Sequence, residues 1–155
     1  MRNIGTTFMI GMAITAVGMF GADSMIGTWK LDVAKSQYTG LSPVKNQTDV
    51  REATSDGGVK VTRTGQLADG TPVKGSFTYK YDGKEYSATG LAFDVVSVKR
   101  IDANTTSFEV KKTGGKYHLT GQNVISKDGK TLTQTNKGTD AEGKPLALTL
   151  VYEKQ

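Results

Sequence analysis

Arg63 is the residue in this 155-residue chain whose setting asks most plainly for chemistry. Along 58–67, Val59, Val61, Arg63, Gly65 and Leu67 fall on one face of an extended chain, opposite Lys60, Thr62, Thr64 and Gln66. Valines that point inward carry Arg63 inward with them. A buried guanidinium is costly unless something pairs with it. An anionic head group gripped by both arms of the fork would serve. So would an internal carboxylate, the face of Tyr79 or Tyr81, or a place near a solvent rim. Tyr38, Tyr79, Tyr81, Tyr86, Tyr117 and Tyr152, with Phe77, Phe93 and Phe108, supply rings for an apolar lining and hydroxyls to orient a guest. Ordinary packing would use the same rings. Arg63, Phe77, Tyr79, Phe108 and Tyr117 are the candidate ligand-binding residues.

Catalytic chemistry is poorly provided for. His118, the single histidine, falls opposite Tyr117 and Leu119 and is expected to point outward, away from any nucleophile it would have to activate. Asp94 and Glu109 read as surface acids without an obvious partner. Gly114-Gly115-Lys116 lacks the length and order of a phosphate-binding loop. With no cysteine and one histidine, the chain offers neither a disulfide framework nor a multi-imidazole zinc site. The expectation is a non-enzymatic protein with no cofactor and no metal. The net charge of +5 comes from lysines interleaved with acids rather than clustered, which speaks for a solvated surface and against nucleic acid.

Any such site must be held by strands. Asp56-Gly57, Asp69-Gly70, Asp82-Gly83, Gly114-Gly115, Asp128-Gly129 and Glu142-Gly143 recur at intervals of 13, 13, 32, 14 and 14 residues, and Gly90 and Asp102-Ala103-Asn104 fill the long gap. Asp-Gly between strand-like runs is a strong hairpin signal, read here as type I′ turns. Between the turns apolar residues alternate with polar ones. Val73, Gly75, Phe77, Tyr79 and Tyr81 share one face, as do Leu146, Leu148, Leu150 and Tyr152. Ten strands are predicted, at 25–32, 44–54, 59–68, 71–81, 84–89, 93–101, 105–112, 116–125, 130–138 and 145–154. No convincing amphipathic helix interrupts them, apart from a turn at 33–37. A ten-stranded meander leaves costly edges unless it closes, so the predicted fold is all-β, an antiparallel up-and-down barrel. A barrel of this size encloses more room than its own side chains fill. Polar residues on 44–54 and 130–138 point to a partly watered interior.

The first 24 residues differ in kind: Arg2, then no charge until Asp23, with an apolar run from Phe8 to Phe20. That is the layout of a signal peptide, here a helix ending at Ala22 or Ser24, with Ser24 leaving the better small residue upstream. Residues 25–155 then form the mature domain, expected to be periplasmic or secreted, monomeric and free of the membrane after cleavage.

"MIGTWKLD" at 25–32 puts Gly27-x-Trp29 on the first strand, and "LVYEKQ" closes the chain. In these features, and in "GTWKLDVAKSQY", "VKRIDANT" and "SKDGKTLT", the chain resembles the lipocalin or calycin group, including small exported bacterial barrels and, distantly, fatty-acid-binding proteins. The resemblance implies that Gly27 and Trp29 shape the closed floor, with a basic side chain, Arg100 being the candidate, over the indole. Arg63 and the apolar and aromatic lining point to a small apolar or anionic-amphipathic molecule as the guest of the lumen. Two departures stand out. Val33 to Pro43 leaves room for one helical turn or a loop, not a pair of lid helices. Leu150-Val151-Tyr152 lacks the arginine of the Arg-x-Tyr that grips a carboxylate in the fatty-acid-binding group. The alternative is an interaction or assembly module whose barrel interior is simply packed.

Overall fold

The computed structural model describes residues 22–155, so the leader expected over 1–24 lies outside the described residues except for its last three. Ten strands run in chain order: β1 (Gly27–Thr39), β2 (Asn46–Ala53), β3 (Val59–Gln66), β4 (Pro72–Tyr79), β5 (Asp82–Thr89), β6 (Val95–Asp102), β7 (Thr105–Lys111), β8 (His118–Ile125), β9 (Thr131–Thr139) and β10 (Pro145–Lys154). Each pairs antiparallel with its sequence neighbours, and β1 also pairs with β10, which closes the barrel. Among the described residues every strand therefore has a partner on both sides, which blunts the edges that an open sheet would present.

The glycine corners are not the type I′ turns expected from Asp-Gly. Those need φ > 0 at both central residues, and among the described residues no non-glycine residue has positive φ. At Thr54–Gly58, for example, Gly57 N–H donates to the Thr54 carbonyl at 3.1 Å, and Gly57 alone takes φ 82°. This is a type I turn followed by a left-handed glycine, a three- to five-residue hairpin connection. The aspartates act as local acceptors: Asp69, Asp82, Asp102 and Asp128 each take the N–H two residues on.

β1 overturns the expected end at residue 32 and the turn or loop at 33–37. The strand continues to Thr39 through an irregularity, in which the register with β10 moves from Asp32 opposite Val151 to Gln37 opposite Thr149. Side chains make this tolerable. Lys35 N–H donates to Asp32 Oδ1 at 3.1 Å, the Ser36 hydroxyl donates to the Asp32 carbonyl at 2.7 Å, and Val151 N–H donates to Ser36 Oγ at 3.0 Å. The bulge meets its backbone needs without helical bonds.

The β4–β5 seam is thin. It holds two register pairs, Ser76 with Thr89 and Phe77 with Ala88, whereas β3 and β4 stay in register from Val59–Tyr79 to Gln66–Pro72. The buried apolar side chains, from Trp29 and Tyr152 through Val61, Val96 and Phe108 to Leu148, all face the lumen.

Candidate functional site in the lumen

The chain enters at the end of the barrel that it closes. Trp29 is fully buried there, and its indole N–H donates to the Met25 carbonyl at 3.0 Å. Asp23 ties this segment down. Its carboxylate accepts from Met25 N–H at 3.0 Å and the Tyr81 hydroxyl at 2.6 Å, and meets Arg100 Nη2 at 2.9 Å. Burial would raise the Asp23 carboxyl, but those hydrogen bonds and the Arg100 charge outweigh it and hold the group below the ordinary carboxylate value. Ser24 adds a hydroxyl bond to the Ala103 carbonyl.

The cation over Trp29 is therefore not Arg100. Arg100 lies over Tyr81, 3.9 Å from the ring centre. Lys154 takes the place expected for it, with Nζ 5.2 Å from the Trp29 ring. Gly27 makes room: a Cβ there would stand 2.6 Å from Lys154 Cε. The register explains the exchange, since Trp29 lies opposite Lys154 across the β1–β10 closure while Arg100 stands on β6.

Above this floor the barrel encloses a cavity of about 430 Å³, within the range of roughly 300–1,000 Å³ typical of small-molecule sites. Leu41, Leu67 and Leu91 stand at its open end, where the loops after β1, β3 and β5 gather. Arg63, Phe77, Tyr79, Phe108 and Tyr117 all line it. The rings are locked by one another: Phe77 stacks on Tyr79 at 6.0 Å and meets Phe93 edge-on at 5.7 Å, and Phe93 stacks on Tyr117 at 6.5 Å. Burial raises the hydroxyl pKa of Tyr79 and Tyr117, so both remain neutral donors at physiological pH.

Arg63 points inward but is not free. Its Nε and Nη2 each donate to one oxygen of Asp49 at 2.8 Å, and Asp49 is wholly buried. Of the partners open to Arg63, the internal carboxylate is the one present. Two neighbours complete the cluster. Gln47 Nε2 donates to the Tyr152 hydroxyl at 2.6 Å, and Arg51, 6% exposed, brings Nη2 to 4.0 Å from Asp49.

Gln47, Asp49 and Arg51 form the inward face of β2 and carry no apolar signal, because the strand's valine, Val50, lies on the other face. A sequence clue to the pair exists: seven residues on either side of Asp56 stand Asp49 and Arg63, and the hairpin sets them opposite each other. Across the lumen Asn123, Gln134 and Asn136 also line the cavity, each with a buried amide oxygen that has no partner among the described residues.

His118 lies outside, as its phase implied, with Nε2 3.0 Å from Glu109 Oε1. Glu109 thus has a partner after all. Asp94 has partners too, in Lys112 Nζ at 3.2 Å and the Thr113 N–H at 2.8 Å. Among the described residues no three His, Asp or Glu side chains converge as a metal site would require.

Solved structures place this geometry. The phycobiliprotein lyase CPES of the S type from Guillardia theta aligns with TM-score 0.58 at 10% identity, over 85% of this chain and 89% of that one. The wild-type fluorescent protein UnaG aligns with TM-score 0.55 at 13% identity, over 85% and 98%. The chain has a calycin-type, lipocalin-like barrel. EF1p2_mFAP2b, solved with DFHBI bound, aligns with TM-score 0.51 at 13% identity, over 86% of this chain and 96% of that one. No family model matches the sequence, and no curated protein does. At these identities the likeness establishes the calycin-type fold and nothing finer.

Proposed function

We propose that this calycin-type barrel is an exported, non-enzymatic carrier or receptor of a small, partly apolar molecule held in its lumen. The observation that carries the reading is the unfilled cavity of about 430 Å³ behind an apolar mouth. Its aromatic and aliphatic walls would take a guest out of water at about 25 cal/mol per Å² of apolar area. Phe77, Tyr79, Phe108 and Tyr117 form the wall, and the neutral tyrosine hydroxyls orient the guest. A neighbour of the same fold that holds DFHBI supports the reading. The non-enzymatic part rests on the lumen's titratable groups: Asp49 is locked between arginines, and the tyrosines sit above their ordinary values. Neither that carboxylate nor those tyrosines are poised near neutrality to move a proton.

The packed assembly module fits less well. Among the described residues the exposed large apolar side chains are Leu41, Leu67, Ile101 and Val124, and two of these four belong to the mouth rather than to an outer patch.

Occlusion tests the reading. Val73 lines the cavity near the mouth, one register pair inside Pro72. Titrated with the uncharged dye phenylnaphthylamine, the Val73→Trp variant is expected to bind about tenfold more weakly than the parent, because lost apolar contact on the order of 1.4 kcal/mol gives that factor. Equal binding by both proteins would place the dye outside the barrel and remove the proposal.

Export carries its own expectation. Asp23 and Ser24 hold the floor through Tyr81, Arg100 and Ala103, so cleavage after Ala22 keeps a latch that cleavage after Ser24 discards. Intact mass of the protein recovered from a bacterial periplasm is expected to place Asp23 at its N-terminus. A chain starting at Met25 would contradict this, and a chain found only in the cytoplasm would contradict export itself.

A further inference from the structure

The cavity wall carries an unmatched charge. Arg51 and Arg63 are the ionised side chains that line it, and Asp49 behind them is the carboxylate that faces both. Two guanidiniums against one carboxylate leave the cluster with one positive charge. The distribution within it is uneven. Arg63 takes both carboxylate oxygens at 2.8 Å, in a bidentate pair. Arg51 is left with little: Nη2 is 4.0 Å from Asp49 Oδ2, beyond hydrogen-bond reach, Nη1 has the Met25 sulfur at 3.8 Å, and Nε has no acceptor among the described residues. A thioether is a weak acceptor. A buried guanidinium so poorly satisfied is costly to the protein alone and favourable to an incoming anion.

We propose that Arg51 is the anion receptor of the lumen, and that the guest is a monoanionic amphiphile seated with its oxyanion against β2 and its apolar body toward the Leu41 and Leu67 mouth. Arg63 is the supporting member: its pairing with Asp49 fixes the carboxylate in place, so that the cluster presents one unit of charge rather than two. The inference rests on the lumen-binding reading above and adds the charge, number and location of the guest's polar group. It moves the anion site from Arg63 to Arg51. The opposite wall, with the unpartnered amide oxygens of Asn123, Gln134 and Asn136, receives hydroxyl or N–H groups on the guest rather than a second anion.

Two dyes that share a ring system and differ by one sulfonate make the test: anilinonaphthalene sulfonate and phenylnaphthylamine. The parent protein is expected to bind the sulfonate about tenfold or more tightly than the uncharged dye, the factor given by charge-assisted hydrogen bonds. Arg51→Met is expected to abolish that preference, read as the ratio of the two affinities in the same variant, and Arg51→Lys to retain part of it. Equal affinity of the parent for both dyes overturns the proposal without needing any variant to fold, and leaves lumen binding standing. A preference that survives in Arg51→Met also overturns it. If the parent takes up neither dye, the lumen-binding reading falls, and this assignment falls with it.

Discussion

Asp49→Asn is expected to destabilise the barrel by about 3–5 kcal/mol, the cost of leaving a buried charge without its partner. The asparagine keeps the shape but removes the charge, and Arg63 and Arg51 then share the cavity wall with no carboxylate between them. Urea unfolding followed by circular dichroism reads the loss directly. Pairing the change with Arg63→Met should recover part of it, because the guanidinium that lost its carboxylate is then removed as well. A single Asp49→Asn variant within about 1 kcal/mol of the parent would mean that water reaches the cluster and screens it.

The pH dependence follows from the same pair. Burial pushes the Asp49 carboxyl up, but the charges of Arg63 and Arg51 and the hydrogen bonds from Arg63 and Gln47 outweigh it and hold its folded pKa below the ordinary value of 3.8. A depressed carboxylate contributes stability that is complete above the unfolded pKa and is lost as pH falls through the folded one. The gap between parent and Asp49→Asn should therefore hold from neutrality down to about pH 5 and narrow only below pH 4 or so.

Trp29→Ala is expected to cost about 3–5 kcal/mol as well, through a different cause. The indole is fully buried and forms the plug between Met25 and Lys154. Truncation opens a cavity and also frees the Met25 carbonyl that the indole N–H satisfied. Trp29→Phe, which keeps a ring but drops the donor, should cost less, about 1–3 kcal/mol for an unsatisfied acceptor and a smaller volume loss. Thermal and urea melts of the two variants separate plug from hydrogen bond. A loss below about 1 kcal/mol for Trp29→Ala would show that the floor is held by the Asp23 latch alone.

Much of this architecture can be read from the residues. Period-two alternation along β4 and β10 and the glycine corners at 57, 70 and 129 carry enough information for the strand count and closure. The aromatic wall follows from the same alternation. Two things hide. The turn type depends on φ at the aspartates, which no residue name fixes, and β1 runs on through Ser36 because a hydroxyl satisfies a backbone group that a helix would otherwise satisfy. The charged cluster hides for a related reason. An apolar-in rule assigns β2 by Val50, whereas its inward face is Gln47, Asp49 and Arg51, bought by ion pairing rather than by hydrophobicity. The Arg100 expectation failed because a tryptophan's cationic neighbour is set by barrel closure, a long-range register that local pattern does not encode.

The two-rung join between β4 and β5 makes the wall mechanically uneven. Phe77 and Ala88, one of its two pairs, sit beside the aromatic lining, so backbone and lining share a hinge line there. A guest wider than the resting hollow would be accommodated by spreading this line, at the expense of few main-chain bonds, while the rest of the cylinder keeps its girth. The wall is thus laced unevenly: eight register pairs join β2 and β3, where the charged cluster stands, against two between β4 and β5.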